Sequence, residues 1–205
     1  MQSYTDHRGL ELHAPTAAHV EAFQQACELF HGYYVNPVDA IDRALEQDPD
    51  FILGQVLKAG IYATATEKAA YPVIDDALER LQRLAPHANE RERGHIEALA
   101  AWRAGRFDEA TERWGRVSID HPRDLLALQF AHLGDFYQGQ SLMLRDRPAR
   151  VLHAWTPDVP GHGFVRSMFA FGMEESGHYP EAEAAGKAAL DANPRDPWAV
   201  HAVAH

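Results

Sequence analysis

Proline recurs along this chain at a near-constant interval, which limits the available folds more than any other feature. Four segments look alike: LEQDPDF at 45–51, RLAPHANE at 83–90, SIDHPRD at 118–124 and LDANPRD at 190–196. Their prolines, Pro49, Pro86, Pro122 and Pro194, stand 37, 36 and 72 residues apart. The last interval is twice 36, and Pro157 and Pro160 lie near its middle. A period near 36 predicts a helix-turn-helix solenoid rather than a compact bundle. Each unit is one helix pair that buries its apolar face only by stacking on the next.

The interior of the period agrees. Gly105-Arg106-Phe107-Asp108-Glu109-Ala110 matches Gly177-His178-Tyr179-Pro180-Glu181-Ala182 at an offset of 72. In each copy Gly is placed to end a first helix, because it takes the left-handed conformation cheaply. The aromatic is expected to pack back on the pair, and Ala to let its two helices touch. Pro122 and Pro194 then separate one pair from the next, since the residue before Pro avoids the helical region. Asp124 and Asp196 follow where a first helix needs its N-cap. This is the tetratricopeptide pattern, and it predicts an all-α array.

The array divides into a lead-in at 1–14 and helix pairs at 15–47, 50–84, 88–118, 123–155 and 163–191. A terminal half-repeat at 196–205 completes it. Within the fourth pair the helices are expected at 123–139 and 146–155, broken by Gly134 and Gly139. The half-repeat ends on an apolar, Trp-bearing stretch, whereas a solenoid normally ends on a helix with a polar outer face. The expectation is that the chain continues in a longer protein, or that a second chain covers this end.

Charge narrows the partners. Lys and Arg total 19 against 30 Asp and Glu, a formal net charge of −11. Such a chain repels phosphate backbones, so nucleic acid is not an expected partner. One cysteine, Cys27, excludes an internal disulfide, suits a reducing compartment and reads as small apolar packing. The N-terminal MQSYTDHRGLELHAPT lacks the apolar stretch of a signal peptide. No run approaches the roughly 18 apolar residues that span a bilayer. A cytoplasmic protein without a membrane partner is expected.

Further motifs carry a more specific resemblance. They are Asp48-Pro49-Asp50-Phe51 with Lys58-Ala59-Gly60, Asn89-Glu90-Arg91-Glu92-Arg93-Gly94-His95, and His121-Pro122-Arg123-Asp124-Leu125-Leu126-Ala127-Leu128 with Ala131-His132. Gly163-Phe164-Val165 leads to Phe169-Ala170-Phe171-Gly172-Met173-Glu174-Glu175, and Asn193-Pro194-Arg195-Asp196-Pro197-Trp198 runs on through His201 to His205. From about residue 30 onward the chain resembles the N-terminal portion of the tetratricopeptide repeat protein 38 family. The resemblance implies a right-handed tetratricopeptide-repeat (helix-turn-helix) solenoid, and members that continue through further histidine-bearing helices. It implies no established reaction.

Thirteen histidines are many for 205 residues, but most fall at the N-terminus or at turns. His201 and His205 differ. Four residues apart on a predicted helix, they share one face, the spacing at which two imidazoles hold one divalent metal such as zinc or iron. A third ligand is then required. Glu174 and Glu175 end the preceding first helix, and His132 holds nearly the same place two periods earlier. In a straight stack that separation is about 20 Å, so only a strong curl brings His132 near. HAVAH lacks the glutamate of the H-E-x-x-H motif, and the pair equally suits a hydrogen-bonded repeat interface. Phe130, Phe136, Tyr137, Phe164, Phe169 and Phe171 cluster in the fourth and fifth pairs, where most are expected to fill the core.

Two readings follow. The first is a scaffold that holds a peptide or protein on a concave face lined by first helices, with His132, Phe136, Tyr137 and Trp198 as ligand-binding residues. In the second, the solenoid curls into a closed cup where His132, His201 and His205, with residues beyond this chain, bind a metal or a small molecule for catalysis. Self-association through 196–205 is a structural third.

Overall fold

A computed structural model describes residues 2–204. Among them are eleven α-helices, preceded by one two-stranded hairpin. The helices pair as α1 (Ala17–His31) with α2 (Pro37–Gln47), α3 (Ile52–Thr64) with α4 (Tyr71–Leu84), and α5 (Glu90–Arg103) with α6 (Phe107–Asp120). Then follow α7 (Leu125–Tyr137) with α8 (Ser141–Val151), α9 (His162–Glu175) with α10 (Tyr179–Ala192), and a single α11 (Pro197–Ala204). Neighbouring helices pack in sequence order, giving an all-α solenoid-like array. No helix among the described residues is long and apolar enough to cross a membrane.

Local chemistry sets these boundaries. Gly105 and Gly177 have φ of +77° and +83°, the left-handed turn that ends α5 and α9. Asp124 caps α7 by accepting from the Ala127 N–H at 2.9 Å. Asp196 does the same for α11, accepting from the Trp198 and Ala199 N–H groups at 3.1 and 3.2 Å. Asn89 and Glu92 form a reciprocal capping box on α5. The helix expected at 146–155 instead starts at Ser141, two residues after the left-handed Gly139, and holds Pro148 buried within it. Gly134 does not break α7; it lies inside that helix, against Thr111.

The lead-in is a hairpin. Strands β1 (Gln2–Thr5) and β2 (Glu11–Ala14) pair antiparallel, Gln2 opposite Ala14. Asp6 ties the turn by accepting from the Arg8 and Leu10 N–H groups, both at 2.9 Å. Leu12 and Ala14 are fully buried on the array. A polar node holds the hairpin there. The buried Glu92 carboxylate accepts from the His13 N–H at 2.7 Å and from His13 Nδ1 at 2.8 Å. Arg91 donates to the Glu11 carbonyl at 2.8 Å and to Asp124 Oδ2 at 2.9 Å, and His95 Nε2 donates to the same oxygen at 3.0 Å. Burial alone would raise the Asp124 carboxyl, but the charges of His95 and Arg91 outweigh it and hold the group well below the ordinary carboxylate range. The hairpin turn also reaches the loop before α9, where Arg8 Nε donates to the Pro160 carbonyl at 2.9 Å.

The array curls tightly enough for α1 to occupy its inward side. Phe30 meets Phe130 of α7 with ring centroids 5.4 Å apart, and His31 Nδ1 donates to Gln129 Oε1. His31 also lies 5.9 Å from Phe164 of α9, and Tyr33 lies 5.6 Å from Trp198 of α11. The helices approach closely elsewhere as well. At Gly172, an added Cβ would fall 2.3 Å from the Leu144 backbone carbonyl of α8.

Candidate functional site

The curl decides where each sequence-predicted residue lies. His132 is fully buried inside α7, its Nε2 donating to the Met168 carbonyl at 3.3 Å. Burial pushes its imidazole down to about 4, so it is neutral at physiological pH. Trp198 is buried beside it, with ring centroids 4.9 Å apart and nearly perpendicular planes. The separation of about 20 Å expected between such positions in a straight stack is therefore abolished. Both rings belong to the interior, together with Phe171, 4.9 Å from Trp198. Neither side chain offers more than a sliver of surface to solvent. Phe136 and Tyr137 are 45 % and 47 % exposed and do face solvent.

The inward side of the first helices is not an open groove. Gln129 and Phe130 of α7 are fully buried, and α1 lies across them. Most of the large exposed apolar side chains sit instead on the edge where first helices end and second helices begin. Tyr71, Phe107, Phe136, Tyr137, Leu142 and Tyr179 are all exposed there. The two aromatics of the Gly-aromatic motif were expected to pack inward. Phe107 does so in part, against Trp102 at 5.0 Å, yet both it and Tyr179 remain exposed.

Rings connect much of this edge. Trp102 links Phe107 to Tyr137, 6.4 Å away, and Tyr137 lies 5.9 Å from Phe136. Two hydrogen bonds fix the pair to α3: Trp102 Nε1 donates to the Ala63 carbonyl at 3.1 Å, and the Tyr137 hydroxyl to the Thr64 carbonyl at 2.8 Å. Between Tyr62, Tyr71, Trp102 and Phe107 lies a hollow of about 110 Å³. Its Arg103 guanidinium stacks 4.1 Å above the Tyr71 ring. Of the residues around this hollow the sequence pointed only to Phe107, through the aromatic two residues after the turn glycine, and gave no signal for Tyr71 or Trp102.

Beneath this edge Phe136 meets the buried Phe171 at 5.9 Å, and Phe171 meets His201 at 4.9 Å. There, ligand atoms of Glu174, Glu175 and His201 all lie within 4.8 Å of one another. Glu174 is buried, His201 half-buried and Glu175 exposed. The carboxylates whose facing was open in the sequence thus turn toward α11. His205 lies outside the described residues. Arg123 Nε donates to the Ala154 carbonyl at 3.0 Å, and the Arg195 guanidinium stacks on Tyr34 at 4.6 Å.

No family model matches the chain, and no solved structure matches it.

Proposed function

We propose that the chain is a tetratricopeptide-type scaffold that docks a peptide or protein partner on the aromatic edge formed by Trp102, Phe107, Phe136 and Tyr137. The observation that carries this reading is the concentration of exposed aromatic side chains on one edge of the array. Contiguous exposed apolar surface marks interaction sites, and rigid aromatics supply contact area at low entropic cost. The repeat period, the glycine turns and the helix order support the tetratricopeptide assignment. Because α1 already fills the inward side, the partner lies along the edge and inserts one apolar side chain between Tyr62, Tyr71, Trp102 and Phe107. The net charge of −11 favours basic residues flanking that anchor.

Peptides selected from a display library against the chain test this directly. Loss of tenfold or more in affinity in Phe107→Ala and Tyr137→Ala, with unchanged helicity, is expected. That corresponds to about 1.4 kcal/mol at each anchor. Equal affinity in both variants would overturn the edge as the docking site. Self-association through α11, where Val200 is exposed, is the competing reading. It requires a solution mass near twice 22.9 kDa that falls in Val200→Glu.

A further inference from the structure

We infer that Glu174, Glu175 and His201 bind one divalent first-row metal ion, of which zinc is the probe. The three come from two helices. Glu174 and Glu175 end α9, and His201 lies on α11. They are brought together by the packing of α11 on Phe171, the ring against which His201 stands edge-on. Two carboxylates and one imidazole form a donor set that suits zinc, manganese or iron, whereas calcium and magnesium prefer oxygen alone.

The spacing is compatible with one ion. In a tetrahedral site, bonds of about 2.0–2.2 Å place the ligand atoms about 3.3–3.6 Å apart. The separations here reach 4.8 Å at most, so side-chain shifts of about 1.3 Å close the set. Glu175 is exposed and free to make such a shift. The carboxyl end of α9 adds the negative end of a helix dipole, which favours a cation. With three protein ligands, one position remains for water or an outside ligand.

The other buried cluster of histidine and carboxylate lacks this character. Asp124 and His95 share their space with the Arg91 guanidinium, whose charge repels a cation. That cluster fastens the hairpin. The Glu174–Glu175–His201 set instead spans two helices at the edge of the array, and an ion there would tie α11 to α9. This inference stands apart from peptide docking, since neither Phe107 nor Tyr137 belongs to it.

The test is calorimetric titration of chelator-treated protein with zinc, alongside thermal unfolding with and without the metal. One zinc per chain and a higher Tm are expected. Glu175→Gln and His201→Asn should each weaken binding at least tenfold while leaving the far-ultraviolet dichroism unchanged. Glu175 is exposed, so its variant reports on the ion even if His201→Asn disturbs α11. No zinc binding would overturn the inference, as would binding equally tight in Glu175→Gln. Binding lost in His205→Asn but intact in Glu175→Gln would also overturn this ligand set.

Discussion

Tyr33, in the turn after the first helix, stands edge-to-face against Trp198 at the start of the last, ring centroids 5.6 Å apart. The contact joins the two ends of the array. A straight stack of helix pairs would leave these residues far apart, so the pair reports directly on the curl.

The two rings should therefore couple energetically. Tyr33 is half exposed, and Tyr33→Ala should cost about 1–2 kcal/mol. Trp198→Ala should cost about 3–5 kcal/mol, because it empties a buried site among His132, Phe171 and Tyr33. A double-mutant cycle read by urea unfolding should give a coupling of about 0.5–1.5 kcal/mol. Strict additivity would mean that the contact does not hold the ends together.

Acid should weaken the fold through two buried histidines. Burial, with the Arg8 charge adding to it, pushes His31 down to about 3, and burial pushes His132 down to about 4, from 6.5 in an open chain. Both rings stay neutral in the folded protein while the unfolded chain takes up protons. Their contribution is complete above pH 6.5 and is lost as the pH falls from there toward 4 and 3. The slope reaches about 1.4 kcal/mol per pH unit for each ring. Urea midpoints at pH 7, 6 and 5 should fall in that order. His132→Leu should flatten the trend whatever it does to stability at pH 7, and an unchanged slope would count against the assignment.

The hairpin should depend on one carboxylate. Glu92→Gln keeps the shape of the side chain but removes the charge that accepts from His13 twice. A loss of about 1.5–3 kcal/mol is expected, the range for hydrogen bonds to a charged group. Hydrogen exchange should quicken at residues 2–14 and stay unchanged in α10. Uniformly faster exchange would show that the node supports the whole array.

Much of the local punctuation could be read from the sequence, because single residues carry it. Gly105 and Gly177 end their helices through backbone freedom, and Asp124 and Asp196 begin theirs through a side-chain acceptor. The hairpin was less visible, though Asp6 and Gly9 between short alternating stretches were its signal. The filling of the inward side by α1 was not legible. Curl accumulates from small rotations at every pair, and no one residue encodes their sum. The same limit hid the facing of Glu174 and Glu175, and it placed His132 on a surface it does not reach.

The hydrogen bond from Arg8 to the Pro160 carbonyl bears on how the protein is born. A linear repeat array can fold pair by pair as it leaves the ribosome, each unit resting on the one before. Here Arg8 docks on a carbonyl 152 residues further along the chain. At ordinary synthesis rates the hairpin waits about ten to thirty seconds for it. During that interval the Arg8 guanidinium lacks the Pro160 carbonyl to which it later donates, so the hairpin is held from one side only.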